Sequence, residues 1–358
     1  MTKGFLQISL ACLLAGSLAG TAALAKDRKL ETTDTMIPSG DAGIQLFVRN
    51  KHPAGKPTSP DKILLFVHGA TYPAETAFDL PIEGVSMMDL IAARGYDVYL
   101  VDVRGYGGST RPPEMNQPPQ ANAPVVTTET AVRDFGSAVD HVLRRRGVGR
   151  INLMGWSWGT AIAGQYTSEN NAKVHRLVLF APLYIFRKGA VIAPAPEVST
   201  AAPAPLGAYR LVSKEVAKAR WLEGVPEHKK SDLIPPGVFE AWIEATWATD
   251  PQAAGHQPPM LRAPNGVIAD VLASWAAGRA HYDPGRITVP TFLIHAEWDF
   301  DLPSYQAIDY FAALTNVPYK RLVEIGEGTH SVMLEKNRMQ FFREIIGFLD
   351  EQDPLALR

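Results

Sequence analysis

The chain is 358 residues long, 46% hydrophobic and 20% charged, with a formal net charge of −2. That length holds one large domain with an insertion, and the balanced charge excludes the basic surface that nucleic acid or an anionic membrane would require. A single cysteine excludes a disulfide framework, and the absence of an H-E-x-x-H run or a Cys/His cluster gives no metal-ligand spacing, so no metal and no other cofactor is expected.

The amino terminus reads as a targeting segment. Met1-Thr2-Lys3 is a short positive start, residues 5–24 are an apolar run, and Ala23-Leu24-Ala25 is an A-x-A site ahead of Lys26-Asp27-Arg28. This is the pattern of a secretory signal peptide cleaved after Ala25. The run is about 20 residues, long enough to span a bilayer. Its Ala and Gly content and the cleavage site favour removal, so no stable membrane anchor is expected and the product is secreted or periplasmic. Cys12 leaves with the segment.

Residues 26–42 are a polar entry that can end in an edge strand, and residues 43–51 alternate as a half-buried strand does. Short continuous apolar runs then alternate with helical patterns, the mark of a parallel sheet buried under helices. Strands are predicted at 63–67, 98–101, 151–154 and 176–180. Helices are predicted at 85–94 and at 128–146, the latter with Thr127 or Thr128 as cap and Gly147 as stop. From 184 to 286 no run resembles a parallel strand. Residues 190–205, rich in Ala and Pro, read as a linker or ordered loop, and helical stretches follow near 213–222, 238–246 and 269–277. The sheet pattern returns at 291–295 and 321–325, and a last amphipathic helix spans 336–349. The organisation is therefore a core in two parts, 26–183 and 287–358, split by a mainly helical cap at 184–286 after the sixth strand.

Gly155-Trp156-Ser157-Trp158-Gly159 follows one of these strands and opens a helix. A serine on a sharp strand-to-helix turn is held with its hydroxyl out of the sheet, and small flanking residues permit that backbone. The helix amino terminus behind it favours developing negative charge. A serine hydroxyl is a weak nucleophile and needs a base, an orienting acid and donors for an oxyanion. Of nine histidines, His330 in Gly328-Thr329-His330 alone follows the final predicted strand, where a loop residue can reach back over the strand ends. Asp299, at the carboxyl end of the 291–295 strand, can accept the imidazole N–H; Glu297 and Asp301 are its near rivals.

His68-Gly69, Asp102-Val103-Arg104-Gly105-Tyr106-Gly107-Gly108-Ser109, the serine pentapeptide, Asp299 and Gly328-Thr329-His330 occur in an order and spacing that resemble the α/β-hydrolase superfamily over nearly all of the chain outside the cap. The resemblance implies an α/β fold with a mostly parallel sheet and a triad in the order nucleophile, acid, histidine: Ser157, Asp299 and His330. It implies an oxyanion hole made by the amide of Trp158 and by that of Ala70, with Thr71 as the alternative to Ala70. It also makes Asp102 and Arg104 scaffold, and His68 structural. The elbow is similar to that of proline iminopeptidases, but Ala70-Thr71 departs from their oxyanion loop. Relatives with an aspartate nucleophile are excluded by Ser157.

All seven tryptophans fall in two places: Trp156, Trp158 and Trp298 in the motifs, and Trp221, Trp242, Trp247 and Trp275 in the cap. That bias suggests an aromatic pocket for an apolar or aromatic small-molecule substrate, with Trp156, Tyr72, Trp242 and Trp247 as substrate-binding candidates and the two elbow tryptophans as its floor. The expectation is an exported serine hydrolase acting on a carboxylic ester or amide. An acyltransferase or an aminopeptidase-like amidase would share the triad, and a non-catalytic binding protein would leave it unused.

Overall fold

Eight strands form one sheet in the order β1-β2-β4-β3-β5-β6-β9-β10. They are β1 (Leu30–Pro38), β2 (Gln45–Pro53), β3 (Ile63–Val67), β4 (Asp97–Val101), β5 (Ile151–Trp156), β6 (Val174–Phe180), β9 (Thr291–Ala296) and β10 (Lys320–Ile325). The protein is described by a computed structural model covering residues 29–55, 59–189 and 205–352. The signal-peptide segment and all but the last residue of the 190–205 segment lie outside these described residues. β1 pairs antiparallel with β2, and β2 antiparallel with β4; every later pairing in the sheet is parallel. β3, β4, β5 and β9 are buried along their whole length, which is why their sequences are continuous apolar runs rather than alternating ones.

Helices cover both faces. α1 (Ala74–Phe78) and α2 (Met87–Ala93) follow β3, α3 (Thr128–Arg146) follows β4, and α4 (Trp158–Glu169) follows β5. The ends of α3 are where its sequence puts them. Thr127 Oγ1 accepts the Thr130 amide at 3.3 Å, and Gly147 closes the helix at φ 63°, a left-handed conformation that glycine adopts without penalty. α3 packs on α4.

The chain leaves the sheet after β6 and returns at β9. Between them lie β7 (Tyr209–Val212), α5 (Lys214–Trp221), α6 (Lys230–Leu233), α7 (Val238–Ala248), β8 (Leu261–Pro264) and α8 (Gly266–Asp270). Two features correct the sequence reading. β7 and β8 pair as an antiparallel ribbon that the sequence did not suggest, because each is four residues long and carries a buried arginine, Arg210 or Arg262, where an apolar run was sought. The predicted helix at 269–277 is α8 followed by one π-turn at Val271–Trp275. α9 (Ser304–Ala313) packs on β9 and β10 as their crossover, and α10 (Arg338–Asp350) packs on α2. Among the described residues no helix is long and apolar enough to cross a membrane.

Candidate active site

Parallel strands bring their carboxyl ends to one edge of the sheet, and β3 is where the strand order reverses: β4 lies on one side of it and β5 on the other. Such a switch point opens a crevice at that edge. The loops after β3, β5, β9 and β10 all open there, and they carry His68–Tyr72, Ser157, Asp299–Asp301 and His330.

Ser157 stands between β5 and α4 at φ 58°, ψ −125°, a conformation that non-glycine residues rarely hold. Its amide donates to the Phe180 carbonyl of β6 at 2.9 Å, which ties the turn to the sheet. Close backbone contacts surround the turn. A Cβ at Gly159 would come 2.6 Å from the carbonyl oxygens of Val67 and His68, and one at Gly69 would come 3.0 Å from Ser157 Cβ and 3.4 Å from its Oγ. The loop after β3 is therefore pressed against the serine. Trp158 is the first residue of α4, where helix amides have no intrahelical acceptor.

His330 Nδ1 lies 2.8 Å from Asp299 Oδ2, and Asp299 Oδ1 accepts the Leu302 amide at 3.0 Å. The carboxylate is fully buried. A carboxylate on Nδ1 fixes the tautomer in which that nitrogen donates and leaves Nε2 as acceptor. Burial opposes a charged imidazole, but Asp299, followed by Asp301, outweighs it and raises His330 above its ordinary range. The rivals are placed elsewhere. Glu297 is exposed and accepts the Glu327 amide at 2.8 Å. Asp301 holds Arg220 Nε at 2.9 Å and lies 4.0 Å from His330 Nε2. Burial would raise the Asp301 carboxyl, yet Arg220 and His330 hold it below its ordinary value.

Ser157 and His330 line one cavity, with no direct hydrogen bond between them among the described residues. Nucleophile and base often come into bonding distance only when substrate closes the site. Ala70, Tyr72 and Trp156 line the same cavity from the core side, and Trp221 and Trp242 from α5 and α7. The Trp242 ring meets Tyr72 edge-on at 4.6 Å and Trp221 at 5.0 Å. Trp156 Nε1 donates to the His330 carbonyl at 2.8 Å, so this indole both lines the cavity and anchors the histidine loop.

Two tryptophan expectations are corrected. Trp247 lines a different hollow, with Glu240 and Glu244 of α7, and donates to the Pro259 carbonyl at 3.1 Å. The Trp158 indole is buried behind the elbow, donating to Thr128 Oγ1 at 2.8 Å, so the elbow contributes one floor tryptophan and not two. Trp156 ends β5 and Trp158 opens α4, so the sharp turn at Ser157 separates the two rings of the motif.

His68, Asp102 and Arg104 are scaffold. His68 Nδ1 donates to Gly69 O at 2.7 Å and its Nε2 accepts the Val103 amide at 3.1 Å; burial pulls the imidazole down to about 4, so it stays neutral. Asp102 accepts the amides of Ala74 and Gly108. Arg104 pairs with Asp134.

Three groups near the site escaped sequence reasoning. Arg210 of β7 is buried and has no carboxylate partner among the described residues; its Nη2 donates to Ala70 O at 2.7 Å and Thr71 Oγ1 at 2.8 Å, and burial pulls its guanidinium down to about 10. Arg220 sits on the cavity wall. Glu335 accepts Trp221 Nε1 at 2.7 Å and the Thr329 amide at 3.0 Å, joining α5 to the histidine loop; burial pushes its carboxyl up to about 7. No sequence pattern marks any of the three, because the partners that give them meaning lie far along the chain.

A model of the Alpha/beta hydrolase family matches residues 64–344. No curated protein matches the chain. Among solved structures, an esterase from Exiguobacterium antarcticum is 17% identical with a TM-score of 0.57, over 89% of this chain and 100% of that one. The 2-hydroxy-6-oxo-6-phenylhexa-2,4-dienoate hydrolase of Rhodococcus sp. strain RHA1 is 16% identical with a TM-score of 0.56, over 90% and 100%. A thermophilic esterase from Thermogutta terrifontis is 17% identical with a TM-score of 0.55, over 89% and 98%. These likenesses are of fold. With the family model matching well over half of the chain, including every loop of the site, the chain belongs to the alpha/beta hydrolase family.

Proposed function

We propose that this protein is an exported serine hydrolase of carboxylic esters, secreted or periplasmic, acting on a small molecule with an apolar or aromatic part. The observation that carries this reading is a strained serine and a histidine bound to a buried carboxylate, lining one aromatic cavity. The residues that approach that cavity from α5 and α7 serve as its cap. Ser157 Oγ attacks the ester carbonyl while His330 Nε2 takes its proton. The amides of Trp158 and Ala70 (or Thr71) hold the oxyanion. The tetrahedral intermediate collapses, His330 returns the proton to the leaving alkoxide, and the acyl group stays on Ser157. Water, deprotonated by His330, then attacks the acyl carbonyl and restores the serine. Asp299 keeps Nδ1 as the donor and stabilises the imidazolium in both halves.

A fluorophosphonate probe tests this directly. It should label the wild-type protein at Ser157 and fail to label Ser157→Ala. Labelling that persists in the variant would sink the assignment.

A further inference from the structure

Arg220 stands on the cavity wall with most of its donors unused. Both Asp301 oxygens sit 2.9 Å from Nε, so the carboxylate occupies one edge of the guanidinium. Nη1 and Nη2 have no acceptor among the described residues, and neither is sealed from solvent. Tyr72 Oη also has no acceptor among those residues, lines the same cavity, and feels the charge of Arg220. A guanidinium offers five N–H donors in a planar fork, and its two Nη groups match the two oxygens of a carboxylate. The other lining residues of α5 and α7 are apolar or aromatic: Ala217 and Trp221 share α5 with Arg220, and Trp242 packs on Trp221. An ester of purely apolar groups would bury those N–H donors without acceptors, which is unfavourable.

We propose that the cavity takes esters that also bear a carboxylate, held by the Nη1/Nη2 fork of Arg220 with Tyr72 Oη as a further donor. The proposal rests on the esterase reading above for the reaction, but not for the binding. Asp301 fixes the guanidinium: it holds Nε, leaves both Nη groups without an acceptor among the described residues, and lines the cavity with Arg220, its own Oδ2 4.0 Å from the imidazole. Arg210 and Arg220 offset Asp299 and Asp301 in formal charge, and burial pushes the neighbouring Glu335 carboxyl up to about 7.

Two readouts test the proposal. In the first, kcat/KM is compared for the mono-p-nitrophenyl ester of glutaric acid and for p-nitrophenyl pentanoate, its neutral counterpart. The wild type should favour the acid by about tenfold or more, the worth of one charge-assisted hydrogen-bonded contact. Arg220→Gln and the double variant Arg220→Gln/Asp301→Asn should both abolish the preference; the double variant guards against the buried carboxylate that the single one orphans. Arg220→Lys should keep part of it. A wild type without the preference, or variants that retain it, overturns the proposal. In the second, tryptophan fluorescence follows binding of 3-phenylpropionate and of 3-phenylpropionamide. Tighter binding of the acid that is lost with Arg220 supports the anchor, and equal binding overturns it. Fluorophosphonate labelling separates the two readings: labelled protein indifferent to the carboxylate overturns the anchor alone, whereas unlabelled protein overturns the esterase reading and leaves the fluorescence titration to decide the anchor.

Discussion

Replacing Arg210 with methionine should cost activity far more than stability. The guanidinium is buried without a carboxylate, and burial lowers it from 12.5 to about 10. That shift corresponds to an unfavourable contribution of about 3 kcal/mol to the folded state at neutral pH. Against it stand three short hydrogen bonds, to Ala70 O at 2.7 Å, Thr71 Oγ1 at 2.8 Å and Pro264 O at 2.7 Å. Bonds from a charged donor contribute about 1.5–3 kcal/mol each. Ala70 O keeps a second donor, Tyr106 Oη at 2.8 Å, so the variant orphans little. With Ala70 O still bonded and methionine gaining apolar burial, the three bonds count at the lower end of that range and outweigh the burial cost by about 1.5 kcal/mol, a Tm shift of only a few degrees for a domain of this size. Catalysis is more exposed. Arg210 brackets the loop from which the proposed mechanism takes an oxyanion donor, and such a donor is worth about a hundred- to thousandfold in rate. A loop held by Tyr106 alone should lose about ten- to a hundredfold in kcat with little change in KM, as expected for an interaction made in the transition state. Arg210→Lys keeps the charge but not the fork, and should recover only part of the loss. Steady-state kinetics beside urea denaturation decides the matter. A variant with wild-type kcat and a stability loss above about 3 kcal/mol would show that Arg210 is a structural strut, and the reasoning would fail.

Three further outcomes follow from the same geometry. Asp299→Asn should lower kcat by several orders of magnitude because Nδ1 loses the acceptor that fixes its tautomer, whereas Asp301→Asn should leave the triad intact and move the acid limb of the kcat/KM profile to lower pH. That limb should lie above 6.5 in the wild type: in the proposed mechanism neutral His330 is the base and its pKa is raised, so activity should be lost as pH falls through it. Equal losses in the two variants would refute the assignment of the acid. Glu335 links pH to stability. Its folded pKa, about 7, exceeds its ordinary 4.5, so the unfolded chain ionises first and stability declines from pH 4.5 to about 7, by up to about 3 kcal/mol, then levels. Glu335→Gln should flatten that decline in denaturation curves taken across pH. Trp242→Ala should raise KM for bulky aryl esters while sparing acetates, and Trp247→Ala should change neither, since its ring faces another hollow; equal effects would mean that α7 had unfolded.

What the sequence reveals depends on how far apart the partners stand. The runs at β3 and β5, the Thr127 cap and the Gly147 stop are local signals, and the structure places them where the sequence does. α1 escapes because five residues are too few for a helical period to register. α9 is implied by topology and not by a local signal: β9 and β10 pair in parallel, and parallel neighbours need a crossover between them. Ser157, Asp299 and His330 are legible as candidates because each follows a strand whose carboxyl end must face the crevice.

The charged groups around them are not legible, and β7 and β8 show why. Arg210 and Arg262 sit in paired strands of one ribbon, each a buried arginine in a four-residue strand. Arg262 meets Asp250 at 2.5 Å, a carboxylate twelve positions back, and becomes a closed ion pair. Arg210 meets only carbonyls and a hydroxyl, two of them 139 and 140 positions away on the loop beside Ser157. Nothing in either strand distinguishes the two. An arginine whose charge is cancelled locally holds the ribbon together. One whose charge is left open, at a cost to folding, places a positive field behind the loop where the reaction would build a negative one. The difference lies in the partner each finds, and only the folded chain supplies it.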